Sequence, residues 1–329
     1  MFTLQQDKPR QLQDYLQKQG WLPYDENIEN VEIPGAGNMN VTLRVKTAQR
    51  SLIVKQSRPY VAKYPQVKAP AERILREGEF YHIISGNPTL ANYMPKLIGM
   101  DEENYTMALE DLGSGADFTF LYHVNEELEI PILAELIHYI TTLHGNINRK
   151  SHQNELSNHA MRELNHEHVF KLPFMANNGF NLNDVQPGLA RVARPLQNDA
   201  ALRREAHKLG ELYLNDGQTL LHGDYFPGSW LHCRGKAKII DPEFGFFGFA
   251  EFDLAVMQAH LKMAAQPDYI VEKAVALYQE KLPLDESLLK KFTGIEILRR
   301  LIGLAQLPLT LKIEQKKLLL EAARTMVVE

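Results

Sequence analysis

The chain is 329 residues long, 44% hydrophobic and 23% charged, which gives it a sizeable core, room for two domains and no basis for global disorder. Its 36 Lys and Arg against 41 Asp and Glu leave a formal charge of 36 − 41 = −5, which argues against a nucleic-acid backbone as main partner but leaves a nucleotide open. One cysteine, Cys233, excludes an intramolecular disulfide. No run of about 18 apolar residues is present to form a spanning helix, and the polar start MFTLQQDKPRQLQDYLQ does not read as a signal peptide, so a cytoplasmic protein with no membrane partner is expected.

Taken in chain order, Leu12, Tyr15 and Leu16 at helical spacing, followed by Gly20, predict a helix over residues 10–20. Val41, Leu43 and Val45 alternate with Thr42, Arg44 and Lys46, the period of a half-buried strand. A polar turn at 47–50 leads into a second strand at 51–55. Residues 71–85 carry Ile74, Leu75, Phe80, Ile83 and Ile84 in a helical pattern. Two short strands follow near 95–100 and 105–109. After Gly113 the pattern turns helical, with a strong amphipathic helix over 130–144 stopped by Gly145 and Asn146 and further helices over 198–214, 251–265, 269–281, 286–306 and 311–325. The exception is a short strand pair, 230–232 and 237–240, around Arg234, Gly235 and Lys236. Segment 150–195, with scattered His, Asn and Pro, reads as an irregular insertion and is left unassigned. The expected fold class is α+β: an antiparallel β-sheet N-terminal lobe over 1–112 and a mainly helical C-terminal lobe over 113–329.

Three blocks carry chemistry: the loop Gly35-Ala36-Gly37-Asn38-Met39-Asn40 with Lys55 on the next strand but one, the stretch Leu221-His222-Gly223-Asp224 with Ser229 five residues on, and Ile239-Ile240-Asp241-Pro242-Glu243. Phosphoryl transfer from ATP needs a cradle for phosphates, a cation to hold them, oxygen ligands for Mg2+ and a group that positions the acceptor hydroxyl. A glycine turn lets backbone N–H groups approach phosphate oxygens; an ordinary hairpin turn would look the same. Lys55 fits the phosphate-holding cation, with Glu77 on the following helix as its orienting partner, although a strand-end lysine and a solvated helix glutamate are the plain alternatives. A hairpin between Ser229 and Asp241 would bring their oxygens toward one Mg2+, a hard ion that takes carboxylate and hydroxyl ligands. Asp224 would accept a hydrogen bond from the acceptor hydroxyl and take its proton. The structural alternatives are a turn cap at Asp224 and a turn opener at Asp241-Pro242.

The set HGDYFPGS…IIDPEF resembles the HGDxxxxN…DxD/E signature of the aminoglycoside phosphotransferase and choline kinase superfamily, and resembles methylthioribose kinases more closely still. GAGNMN, SLIVKQSRPYV, the EDLG stretch, DPEFGFFG and LRRLIGLA extend the similarity over roughly residues 35–305. The resemblance implies a protein kinase-like two-lobed fold, with ATP and Mg2+ as cofactors and a small hydroxylated substrate. It makes Asp224 the catalytic aspartate, Asp241 the principal metal ligand with Glu243 the second acidic one, and Ser229 a metal ligand where most relatives have Asn. It makes Lys55 and Glu77 the phosphate-orienting pair, with Gly35, Gly37, Asn38 and Asn40 in the nucleotide loop. Glu110, Asp111 and Leu112 fall at the interlobe hinge, where backbone groups would recognise adenine. Arg299 and Arg300 match paired arginines at a sugar site, with Trp230 beside the acceptor loop. Adjacent helical residues point about 100° apart, so one arginine is expected to face the acceptor and the other to be structural. Methylthioribose kinases typically read HGDLHTGS, and this chain departs from that at Tyr225, Phe226 and Pro227.

Other signals are weaker. His166-Glu167-His168 has the wrong spacing for two metal ligands on one helical face. His222 is expected to pack or hydrogen-bond within its loop, Cys233 to be buried filler, and Ser114 to lie in a turn rather than a nucleophile elbow. Asp253 reads equally as a brace for the catalytic loop or as a helix-start carboxylate. An ATP-dependent kinase moving the γ-phosphate to a small metabolite, for instance a methylthioribose-like sugar, is the leading reading. The alternatives are a nucleotide-binding regulator without catalysis, an aminoglycoside- or choline-type kinase, and a protein kinase, for which little room is left after Asp241. A homodimer is compatible with the sequence, and no residue decides it.

Overall fold

The computed structural model describes all residues except Met1, Ala36, Asn38, Ser114, Val124, Asn125 and 153–155. In chain order the elements are α1 (Pro9–Lys18), β1 (Ile28–Glu32), β2 (Val41–Thr47), β3 (Ser51–Gln56), β4 (Tyr60–Val61), β5 (Tyr64–Lys68), α2 (Arg73–Ser85), α3 (Pro88–Tyr93), β6 (Leu97–Asp101), β7 (Thr106–Glu110) and β8 (Ala116–Asp117). Then come α4 (Ile130–Asn146), α5 (His159–His166), α6 (Leu182–Val185), α7 (Leu189–Gln197), α8 (Ala200–Leu214), β9 (Thr219–Leu221), β10 (Trp230–Cys233) and β11 (Lys236–Ile239). The chain closes with β12 (Phe246–Gly248), α9 (Glu251–Met263), α10 (Asp268–Gln279), α11 (Glu286–Ile302) and α12 (Ile313–Val328). None of the described helices is long and apolar enough to cross a membrane.

The chain forms two compact units, one of Met1–Ala116 with His232–Gly245, the other of Asp117–Leu231 with Phe246–Glu329. In the first, an antiparallel sheet runs in the order β1-β2-β3-β7-β6 among the described residues. Its register pairs Leu43 with Val54 and Val45 with Leu52, and β3 then pairs Val54 with Ala108 and Lys55 with Met107. The predicted alternation holds: Leu43 and Val45 are buried while Thr42, Arg44 and Lys46 are half-exposed. Helix α1 is amphipathic and buries Leu12, Tyr15 and Leu16 against this sheet's core. It stops at Gly20, whose φ of 71° continues no right-handed helix. Gly20 N–H donates to Gln17 O and Trp21 N–H to Leu16 O, which satisfies carbonyls that the helix end would leave bare.

In the second unit α9, α11 and α12 pack together, and β9 pairs with β12 through Leu221↔Phe246 and Leu220↔Phe247. The α+β fold read from the sequence, a sheet first and helices after, is the fold found. Two local expectations differ. Helix α4 runs through Gly145 and Asn146, because the N–H of Ile147 still donates to Leu143 O. Segment 150–195 is not irregular: it carries α5, a π-helical turn at Glu167–Lys171, α6 and α7. It buries polar groups beside apolar ones such as Met161 and Phe170: Arg162 is 1% exposed, with its guanidinium on Asp216 and on the carbonyls of Tyr213 and Leu214.

Candidate active site

In the first unit, β3 ends by pointing Lys55 into the interior, where it is 4% exposed. Its ammonium donates to Glu77 Oε1 on α2 and to Asp241 Oδ1 just beyond β11, each at 2.6 Å. Burial alone would lower the lysine pKa, but Asp241, Glu77 and Glu243 outweigh it and raise it. Burial in turn raises Glu77, against the opposing pull of Lys55. Glu243 is pushed up to about 8, chiefly by burial, with Lys55 opposing. It accepts from Asn40 Nδ2 at 2.9 Å and lies 3.6 Å from Arg73 Nε, which itself donates to Asn40 Oδ1 at 2.9 Å. Three carboxyl groups, those of Glu77, Asp241 and Glu243, therefore surround the Lys55 ammonium and the Arg73 guanidinium. Asp241 is left-handed, with φ of 60°, a conformation that Asp tolerates better than most residues and that occurs often at working sites. Its side chain is 46% exposed.

Gly35 and Gly37 frame an open loop: a Cβ would meet nothing within 4 Å at Gly35 and only Asn40 O, at 3.8 Å, at Gly37. Asn38 lies outside the described residues. Glu110 ends β7 with its carboxylate accepting from Lys96 N–H at 3.2 Å. Asp111 beside it accepts from Ser51 Oγ at 2.6 Å and from Arg44 Nη2 at 3.1 Å, while Gly113 N–H donates to it at 3.0 Å, which fixes the backbone that carries Leu112.

The second unit holds the other residues. Strand β9 runs into His222-Gly223-Asp224, and Gly223 has φ of 83°. Asp253, fully buried in the first turn of α9, accepts from His222 N–H at 2.6 Å and Gly223 N–H at 2.9 Å, so it braces the loop from a helix start. His222 is buried, and its Nδ1 accepts from Asp224 N–H. Ser229 Oγ donates to Asp224 O at 2.8 Å. Trp230 is fully buried against Tyr225 and Phe118, with ring centroids 5.4 and 6.2 Å away.

Both arginines reach Asp224 Oδ1, Arg299 at 3.3 Å and Arg300 at 3.0 Å. The expected division into one facing and one structural arginine is thus not found. Long side chains overcome the helical divergence because Glu296, one turn earlier, draws in both: Arg299 Nε donates to its Oε2 at 2.6 Å and Arg300 Nε to its Oε1 at 2.8 Å. Burial alone would raise the Glu296 pKa, but Arg299 and Arg300 hold it well below the usual range. His260 stands 3.1 Å from Glu296 Oε1 through Nε2 and pairs with the Tyr122 hydroxyl through Nδ1. Burial pushes His260 down to about 4, leaving it neutral. Phe226 stacks beneath Arg300, 4.8 Å from the guanidinium carbon. Sequence reasoning missed Arg73, Glu296, His260 and Tyr122. Only Glu296 left a signal, its spacing three and four residues before the arginines.

Comparison with known proteins bears on this arrangement. The chain is 30% identical over 245 residues to a methylthioribose kinase of Exiguobacterium sibiricum, an alignment covering 71% of this chain and 61% of that protein. It is 26% identical over 337 residues to a methylthioribose kinase of Bacillus velezensis, covering 87% and 83%. Among solved structures it shares the fold of choline kinase LicA from Streptococcus pneumoniae, with a TM-score of 0.54, 14% identity and coverage of 97% of this chain and 99% of that one. It also shares the fold of a spectinomycin phosphotransferase in complex with ADP and spectinomycin, with a TM-score of 0.56, 15% identity and coverage of 96% and 98%. The model of the phosphotransferase enzyme family matches residues 30–286, a span that takes in Lys55, Glu77, Asp224 and Asp241. Since that is well over half of the sequence, the chain belongs to the phosphotransferase enzyme family.

Proposed function

We propose that this phosphotransferase is an ATP- and Mg2+-dependent kinase that moves the γ-phosphoryl group of ATP to a hydroxyl of a small metabolite, with a methylthioribose-like sugar as acceptor. The observation that carries the reading is Lys55, a buried ammonium bridging Glu77 and Asp241 at 2.6 Å each. Such a lysine is held charged and in one place, ready to meet phosphate oxygens. The loop at Gly35 and Gly37, with Asn40, supplies backbone for the phosphates, and the backbone of Glu110 and Leu112 suits an adenine edge. Asp241 and Glu243 are hard oxygen donors of the kind that Mg2+ takes, and the Ser229 hydroxyl is a further oxygen of that kind. When bound, Mg2+ would screen phosphate charge.

Asp224 accepts the acceptor hydroxyl's proton, while Arg299 and Arg300 orient the acceptor beside it. Trp230, fully buried, supports the acceptor loop through its ring contact with Tyr225 and does not itself face an acceptor. The two methylthioribose kinase relatives support the sugar reading. An ATP-consumption screen over small hydroxylated metabolites, methylthioribose among them, tests the proposal. Asp224→Asn is expected to lower turnover by about 10²–10⁴-fold with nucleotide binding kept. Full transfer by Asp224→Asn would remove the proposed role of Asp224. Nucleotide binding with no transfer to any sugar, amino alcohol or aminoglycoside would favour a regulator instead.

A further inference from the structure

Arginine side chains are long and lose much rotamer freedom when fixed, so two neighbours meeting on one carboxylate oxygen need something to hold them. Glu296 does this directly, and its own orientation is held in turn. Its Oε1 receives Arg300 Nε, Arg299 Nη2 at 3.1 Å and His260 Nε2 at 3.1 Å. A neutral imidazole has one N–H, and His260 donates to Glu296 only as the Nε2–H tautomer. That tautomer leaves Nδ1 as an acceptor, and the partner there is the Tyr122 hydroxyl, which can donate. Phe226 lies against both ends of this chain of contacts, its ring 5.0 Å from the His260 ring and 4.8 Å from the Arg300 guanidinium carbon.

We propose that Tyr122 and His260 are positioning residues, which select one imidazole tautomer and through Glu296 fix the guanidinium groups of Arg299 and Arg300 on Asp224. The inference rests on the acceptor-side reading of Asp224 given above. Neither residue touches the acceptor; they act through the arginines. A purely structural role, gluing α9 to α11, would be indifferent to which ring nitrogen carries the proton.

Tyr122→Phe keeps the ring and its packing and removes only the hydroxyl. The test is arginine modification of the full chain by phenylglyoxal, mapped by mass spectrometry, with the buried Arg73 as internal reference, alongside steady-state kinetics. The variant is expected to be modified at Arg299 and Arg300 about five- to tenfold faster than wild type, the effect of one lost hydrogen bond, with Arg73 unchanged. For an acceptor found in the screen, the acceptor KM rises and the ATP KM does not. Equal modification rates in the two proteins would overturn the inference, and so would a rise shared by Arg73, which reports general loosening. A selective rise in a protein that phosphorylates no acceptor would uphold the positioning role and refute the kinase reading.

Discussion

At His260 an imidazole with no solvent contact faces the Glu296 carboxylate, the Tyr122 hydroxyl, the Phe226 ring and the Arg300 charge. Its pKa falls to about 4 because burial disfavours the charged form, with Glu296 pulling the other way. In an unfolded chain the same ring titrates near 6.5. Between these values the unfolded state binds the proton and the folded state does not, so stability falls as the pH drops from about 6.5 toward 4. The slope from this one group is at most about 1.4 kcal/mol per pH unit. His260→Gln keeps an amide donor for Glu296 and cannot titrate, so its thermal midpoint should depend less on pH than wild type across about pH 7 to 5; parallel curves would assign the acid sensitivity elsewhere. Lys55, Glu77, Asp224 and Asp241 were legible in the sequence from order and spacing, since phosphoryl chemistry calls for those residue types in that arrangement. His260 was not: a lone histidine among Val256, Met257, Ala259 and Leu261 reads as filler, and its meaning lies in contacts 138 and 36 residues away.

Elements became readable where one face is apolar. The β2 alternation and the α1 stripe obey the simple periods, and Gly20 ends α1 through its backbone conformation. Helix α5 in 150–195 escaped because Arg162, Asn165 and His166 are buried polar residues, and hydropathy periodicity sees them as surface. The same distinction separates two glycines. Gly20 has open space around it, and only its φ of 71° opposes a side chain, so Gly20→Ala should cost about 1–2 kcal/mol. At Gly217 a Cβ would stand 1.9 Å from Gly248 O, a backbone atom of β12 that cannot swing away. Gly217→Ala should therefore cost more than Gly20→Ala in thermal denaturation, since it parts the β9–β12 pair that delivers Asp224; the reverse order would refute the packing argument.

At the scale of the whole molecule, the first unit is assembled from two stretches of chain, Met1–Ala116 and His232–Gly245. The second stretch brings Asp241 and Glu243, two of the three carboxylates around Lys55 and Arg73. A fragment ending at 116 keeps Glu77 and Glu72 near those two cations and loses Asp241 and Glu243. Removing partners from a buried ion pair costs about 3–5 kcal/mol, so fragment 1–116 should show faster amide exchange at Lys55 and Arg73 than the full chain. Exchange as slow as in the full chain would show that the sheet completes itself without the later segment. A strand pair at 230–240 carries no mark in the sequence of which core it will join.

This split has a consequence for synthesis. Between the end of the first stretch and the start of the second the ribosome must add 232 − 116 = 116 residues, which at about 5–20 residues per second takes roughly 6–23 s. For that interval the Lys55 ammonium has Glu77 without Asp241, and the Arg73 guanidinium has its Met39, Arg58, Pro70 and Tyr60 carbonyls without Glu243. The final closure of the first unit waits on chain made after two thirds of the protein has been synthesised, and the arrival of Asp241 at Lys55 and of Glu243 at Arg73 completes it.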